Sequence, residues 1–279
     1  MSTIYYEDSG SGDAVLLLPG WAGSIAEFGS LLGELSDGFR VVAADLPGSG
    51  RSQPQPREYS VDFYAEDARA FLTLLDELGI GAAHLVGFSD GGEVALLMAA
   101  LDPGRVLSVV TWGAAGRIVE PAAGPTFDQL EHLIGEPVAG RSFDEPERLI
   151  GEPVAGPSAD QLERLTDAPV RELLPLAAYL AEAYGADTAR AMARSWARAL
   201  RGIADRGGDV ARAHAASIRC PALLIAGSDD VFCPPYLVKE MADAIDGARY
   251  DEFEGAGHDL HRSAAGRFGG TLSDWLSRH

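Results

Sequence analysis

A single lysine, Lys239, occurs in 279 residues, and it belongs to a wider shortage of positive charge. Only 22 Lys and Arg stand against 42 Asp and Glu, for a formal net charge of -20. Nucleic acid and anionic lipid surfaces both call for a basic footprint, so neither is expected as a partner. Cysteine is scarce as well. Cys220 and Cys233 match no zinc or redox spacing, and two thiols make no disulfide framework, so a cytoplasmic setting is expected. No apolar run approaches the roughly 18 residues of a membrane span. The opening MSTIYYEDSG lacks the basic-then-apolar order of a secretory signal.

What is present is a large apolar fraction, 47%, enough for a sizeable core. Short β-rich runs alternate with helical patterns. Strands are predicted at 14–18, 39–44, 84–88, 106–112, 222–226 and 249–253, and helices at 27–35, 61–78, 91–101, 236–245 and 264–276. Most of the strand runs are continuously apolar, as strands covered on both faces are. Strand–helix alternation predicts an α/β fold with a mostly parallel, doubly wound sheet. One stretch breaks the rhythm. Between Ala114 and Ala216 no strand pattern occurs, and Pro121, Pro125, Pro137, Pro153, Pro169 and Pro175 punctuate helical segments. The expected organisation is a core of residues 1–115 and 217–279 with a helical cap, 116–216, inserted between two sheet strands. Within the cap lies a 16-residue tandem repeat, around 127–174: Leu133–Gly140 recurs identically as Leu149–Gly156, and a degraded copy begins at Asp160. Three short units do not make a solenoid, and a local duplication is the simpler reading.

Gly87, Ser89 and Gly91 spell G-x-S-x-G. Alone this is a weak signal. It gains weight because a predicted strand precedes it and a predicted helix follows it, as a serine on a strand-to-helix turn requires. A serine hydroxyl needs a base to take its proton. Of six histidines, His84 begins a buried strand, His132 and His214 lie in the insertion, and His279 ends the chain. His258 sits in a Gly-rich loop after the last strand, able to reach the carboxyl edge of the sheet where sites gather in open α/β folds. His261, one helical turn on, is the runner-up. The base in turn needs an orienting carboxylate. The strand at 222–226 ends in Gly227-Ser228-Asp229-Asp230, which offers two, whereas the exit after 106–112 offers only Gly113, Ala114 and Ala115.

These residues together resemble the α/β-hydrolase superfamily. The motifs that carry the resemblance are Leu18–Ser24, Asp45–Ser52, Gly87–Gly92, Gly227–Pro234 and Gly257-His258, in that order over nearly the whole chain. A narrower likeness is to the biphenyl-hydrolase-like group that includes valacyclovir hydrolase, through GFSDGG, Val110–Ala114, Met192–Ile203 with Ser195-Trp196, and Gly257–His261. The resemblance implies that Ser89 is the nucleophile, His258 the base and Asp230 the acid, with Asp229 as fallback. It implies an oxyanion hole made by the backbone amides of Asp90 and of Trp21, or of Ala22 beside it. Trp21, Ala22 and Phe88 are expected to shape the substrate pocket. The implied reaction is ester hydrolysis through an acyl-enzyme, with an α-amino acid ester as the narrower expectation and no metal or cofactor. The same triad also serves lactone, thioester and carbon–carbon bond cleavage and acyl transfer. A non-catalytic ligand-binding relative is the alternative of another class.

Asp90 poses the problem. A carboxylate about 6 Å from a developing oxyanion costs roughly 3 kcal/mol at an effective dielectric of about 20. An acid in the first turn of a helix recovers only about 0.3–1 kcal/mol from the macrodipole. Two readings follow. Asp90 is a helix-start acid turned away from the pocket, or it faces the pocket and binds a substrate ammonium, as the resembled group implies.

Overall fold

A computed structural model describes residues 3–120, 126 and 168–279. Among them a seven-stranded sheet runs in the order β1-β3-β2-β4-β5-β6-β7. The strands are β1 (Tyr6–Gly10), β2 (Ala14–Leu18), β3 (Arg40–Ala44), β4 (Ala83–Phe88), β5 (Val106–Trp112), β6 (Ala222–Gly227) and β7 (Arg249–Phe253). All neighbouring pairs are parallel except β1 with β3. The six predicted strands are present within one residue of their expected ends. β1 was not predicted: its sequence YEDSG is polar and exposed at every position, because it is an edge strand with no covered face.

The continuously apolar strands serve two cores at once. Leu16, Leu18, Val42, Leu85, Val109 and Leu224 point to one face of the sheet, where α2 (Phe63–Glu77), α3 (Asp90–Leu101) and α6 (Pro235–Ala244) pack. Val15, Leu17, Val41, Val86, Val110 and Ile225 point to the other, toward α1 (Leu31–Ser36) and α8 (Ala265–Leu276). Successive side chains of a strand alternate between faces, so burial on both requires apolar residues at every position. Each such side chain stabilises the fold by about 1.5–3 kcal/mol.

One predicted helix is broken. The segment 27–35 becomes a short 3-10 turn, Ile25–Phe28, and α1, separated at Gly29, whose φ is +51°. The C-terminal helix is preceded by one turn, α7 (Leu260–Ser263). In the insertion, α4 (Ala168–Tyr184) and α5 (Ala186–Asp205) are helical as expected. Pro175 does not punctuate it but falls inside α4. The identical repeat units at 133–140 and 149–156, and His132, lie outside the described residues.

The insertion leaves after β5 and returns before β6, and its two ends are fastened together. The carbonyl of Gly116 accepts the N–H groups of Val210, Ala211 and Arg212 at 2.9–3.0 Å, and Ile118 N–H donates to Gly208 O at 2.7 Å. At the crossing of β2, β4 and α3, Gly91 lies so close to β2 that an added Cβ would stand 2.4 Å from the carbonyl oxygens of Leu18 and Pro19. Both contacts are backbone, so neither yields cheaply. Gly91→Ala is therefore expected to cost about 2–3 kcal/mol, read as a lower denaturant midpoint at unchanged slope; an unchanged midpoint would contradict this packing.

Candidate active site

Ser89 follows β4 directly and begins α3 with φ 51° and ψ -120°. A non-glycine residue holds that backbone only under constraint. Its N–H donates to Trp112 O at 2.9 Å, and Glu93 N–H donates to its carbonyl at 3.0 Å. The turn lifts the hydroxyl above the sheet's carboxyl edge. His258 reaches it from the loop after β7, with Nε2 3.0 Å from Ser89 Oγ. Its Nδ1 lies 2.7 Å from Asp230 Oδ2.

Asp230 is buried in the loop after β6, and its Oδ1 accepts the N–H groups of Phe232 and Cys233 at 2.9 and 2.8 Å. The carboxylate is thus fixed by backbone before it meets the imidazole. Facing a carboxylate, Nδ1 carries the ring proton, which leaves Nε2 free to accept from the serine hydroxyl. Burial pulls the His258 pKa down, but the charge and hydrogen bond of Asp230 outweigh it, and the net position is above the ordinary histidine value. Asp229 is exposed and accepts the Ser228 hydroxyl instead. Of the two acids, the structure brings Asp230 to His258.

The other histidines fall elsewhere. His261 is buried beside Phe88 and accepts the Trp112 indole N–H at 3.1 Å. Burial pushes its pKa down to about 3, so it packs as a neutral ring. His84 pairs with the Ser108 hydroxyl at 2.8 Å inside the sheet. His214 and His279 are exposed.

The loop after β2 lies against the nucleophile: a Cβ on Gly20 would stand 3.5 Å from that of Ser89. Ala22 N–H is already given to Ser49 Oγ at 3.1 Å, and Ala22 is fully buried. Ala22 therefore belongs to the loop's frame and not to the cavity wall. The Trp21 and Asp90 amides have no intramolecular acceptor among the described residues.

A cavity of about 580 Å³ opens over these groups, lined among others by Ser89, His258, Trp21, Phe88, Asp90 and Glu93. The Phe88 ring flanks His258 at 4.9 Å between centroids, with Phe232 at 5.2 Å. Asp90 faces this cavity although it is buried. Its Oδ1 accepts the Tyr64 hydroxyl and its Oδ2 the Trp196 indole N–H, each at 2.8 Å. Burial raises its pKa to about 6 against the pull of those two hydrogen bonds. Glu93, three residues on and on the same helix face, is also buried. Its Oε1 accepts Ala115 N–H at 2.8 Å and Gly116 N–H at 3.1 Å, while Oε2 has no partner among the described residues. Burial drives its pKa up to about 8, opposed by the Ala115 amide and helped by the charge of Asp90.

Sequence reasoning did not find Glu93, Tyr64 or a role for Trp196. The one available signal was that Glu93 is the lone acid in the otherwise apolar run from Gly91 to Leu101. Tyr64 and Trp196 reach Asp90 from α2 and from the insertion, 26 and 106 residues away, and spacing carries no trace of that.

Residues 13–264 match the α/β hydrolase fold family, and the chain belongs to it. It is a hydrolytic enzyme. Among its relatives is the serine hydrolase BPHL of Homo sapiens, 28% identical over 277 residues, which covers 98% of this chain and 82% of that protein. A 2-hydroxy-6-oxo-6-phenylhexa-2,4-dienoate hydrolase of Comamonas testosteroni is 36% identical over 117 residues, about 40% of each chain. In fold the chain is similar to the enol-lactonase of Burkholderia xenovorans LB400, with a TM-score of 0.71 at 23% identity over 99% of this chain and 97% of that one. Among the described residues no helix is long and apolar enough to cross a membrane.

Glu93 makes the fold sensitive to pH. Its carboxyl keeps in the folded state a proton that the unfolded chain releases near 4.5. This contribution to stability falls as pH rises from there to about 8. Glu93→Gln removes the titration, so its melting temperature relative to the parent should rise by roughly 7 °C between about pH 5 and pH 8. A difference independent of pH would exclude Glu93 as the titrating group.

Proposed function

We propose that the protein hydrolyses carboxylic esters through an acyl-enzyme, and that its acyl group carries a free α-amino function. The observation that carries the reaction class is the unbroken chain Ser89 Oγ, His258, Asp230, at 3.0 and 2.7 Å, beneath a cavity. Ser89 attacks the ester carbonyl while His258 takes its proton, with Asp230 holding the ring in the required tautomer. The Trp21 and Asp90 amides receive the oxyanion, a contribution of about 3–4 kcal/mol for each donor. His258 returns the proton to the leaving alcohol, then activates water to release the acid. No step calls for a metal or cofactor.

The acidic side chain of Asp90 supports the amino ester. Unneutralised, it would oppose the oxyanion beside it; paired with a substrate ammonium, it becomes the contact that orients the acyl group. The two neutral donors already on its oxygens hold it in place and leave lone pairs for a third. Trp21 and Phe88 form walls of the same cavity. Residues 116–216 act as a cap on the core 1–115 and 217–279. Their closure at Gly116 and the seating of α5 on Asp90 through Trp196 support that division. The cavity suits a small molecule.

Ser89→Ala should abolish turnover; surviving activity removes the assignment. For a matched pair of esters, one with a free α-amine and one N-acetylated, kcat/KM should favour the amine by tenfold or more, and Asp90→Asn should erase that preference. Equal rates in the parent enzyme would assign Asp90 to the helix start alone. The two substrates should also differ in pH dependence. Below about pH 6 the amino ester loses both neutral His258 and ionised Asp90, so log kcat/KM falls with a slope near two. The acetylated ester needs only His258 and falls with a slope near one.

A further inference from the structure

The Trp21 amide can serve the oxyanion only if its loop is held still, and the loop's restraints come partly from the insertion. Ala22 holds φ 55°, the left-handed region that an alanine occupies only under constraint. On one side Ala22 N–H is tied to Ser49 Oγ at 3.1 Å. On the other, Ala22 O accepts the Tyr184 hydroxyl at 2.6 Å and, more weakly, that of Tyr179 at 3.2 Å. The direction of the Tyr184 bond is fixed. Its oxygen accepts Gly50 N–H at 2.6 Å, so its own hydrogen goes to Ala22.

The neighbouring residue is tied just as fully. Gly20 N–H donates to Glu27 Oε2 at 2.9 Å, and Gly20 O accepts Gly23 N–H at 3.0 Å. Both polar backbone groups of Gly20 and of Ala22 are thus engaged, and the Trp21 N–H between them is left over. The insertion adds apolar contact at the same place. Trp21 and Ala22 form one buried cluster with Leu180, Ala189, Met192 and Ala193, and the Trp21 ring stacks on Trp196 at 4.2 Å between centroids.

We propose that Tyr184 is a positioning residue for the oxyanion hole. By bridging Ala22 O and Gly50 N–H, it makes the inserted helices part of the machinery that aims the Trp21 amide at the reacting carbonyl. The proposal rests on the acyl-enzyme reading, in which an oxyanion forms at that amide. Removing an oxyanion donor costs roughly a hundredfold or more in turnover, and loosening one costs part of that.

The test compares Tyr184→Phe with the parent enzyme in three measurements: kcat and KM for an ester, affinity for an arylboronic acid, and melting temperature. The boronic acid bonds to a serine oxygen and places an oxygen in the hole. The expected result is a kcat lower by tenfold or more, a KM within twofold, and boronate affinity lowered by a similar factor to kcat. Tyr179→Phe, which keeps the shorter bond, should stay within twofold in all kinetic terms. A Tyr184→Phe enzyme that melts earlier but keeps kcat and boronate affinity within twofold overturns the proposal. Should that variant not fold, Ser49→Ala, which cuts the opposite tether of Ala22, is judged by the same criteria. A parent enzyme that ignores the boronate, or an active Ser89→Ala, overturns the acyl-enzyme reading instead, so the two failures are told apart.

Discussion

A serine at φ 51° and ψ -120° does not stay there unaided, and much of the surrounding structure is what holds it. The backbone on one side ends the central strand β4, paired on both edges by β2 and β5. The backbone on the other starts α3, whose Gly91 is pressed against the end of β2. With strand and helix fixed independently, the connecting residue has no freedom to relax, and its hydroxyl is displayed above the sheet. The same edge carries the loops after β2, β6 and β7. The partners of the serine therefore arrive from segments of sequence that have nothing in common except the direction of their strands.

Two buried acids beside this turn set the electrostatic character of the site. Asp90 and Glu93 share a helix face; burial raises the pKa of both, and the charge of Asp90 raises that of Glu93 further. They differ in how they are satisfied. Asp90 has a donor on each oxygen and ionises near 6, whereas Glu93 has donors on one oxygen only and ionises near 8. At neutral pH the pocket therefore holds one charged acid and one largely neutral one. A cation reaching Asp90 meets a single full charge in a low-dielectric wall, which is where an ion pair is worth most if its hydrogen bonds are complete.

The sheet was readable because strands buried on both faces must be apolar at every position, as Ala14–Leu18 and Ala222–Ala226 are. β1 was not, because an exposed edge strand follows no such rule. Ser89 and His258 were readable from local patterns, a turn motif and a glycine-rich loop. Between Asp229 and Asp230 the chain's own pattern left both open; the family resemblance favoured Asp230 by its place between Gly227 and Pro234, and the fold brings that one to the imidazole. The choice between the Trp21 and Ala22 amides needed Ser49, 27 residues from Ala22, to occupy one of them. Tyr184 was wholly illegible: its bond to Ala22 spans 162 residues and depends on how a helix lies.

The fastening of the insertion's two ends at Gly116 has a consequence for how such a chain can change. Because departure and return meet at one carbonyl, the geometry of β5 and β6 does not register how much polypeptide lies between them. Residues can be gained there without shifting the sheet or the serine turn, provided α4 and α5 still return to their places over Trp21. The doubled segment Leu133–Gly140 and Leu149–Gly156 is a gain of this kind written in the sequence. Variation in length is thereby confined to the insertion, and neither the sheet nor the serine turn has to move with it.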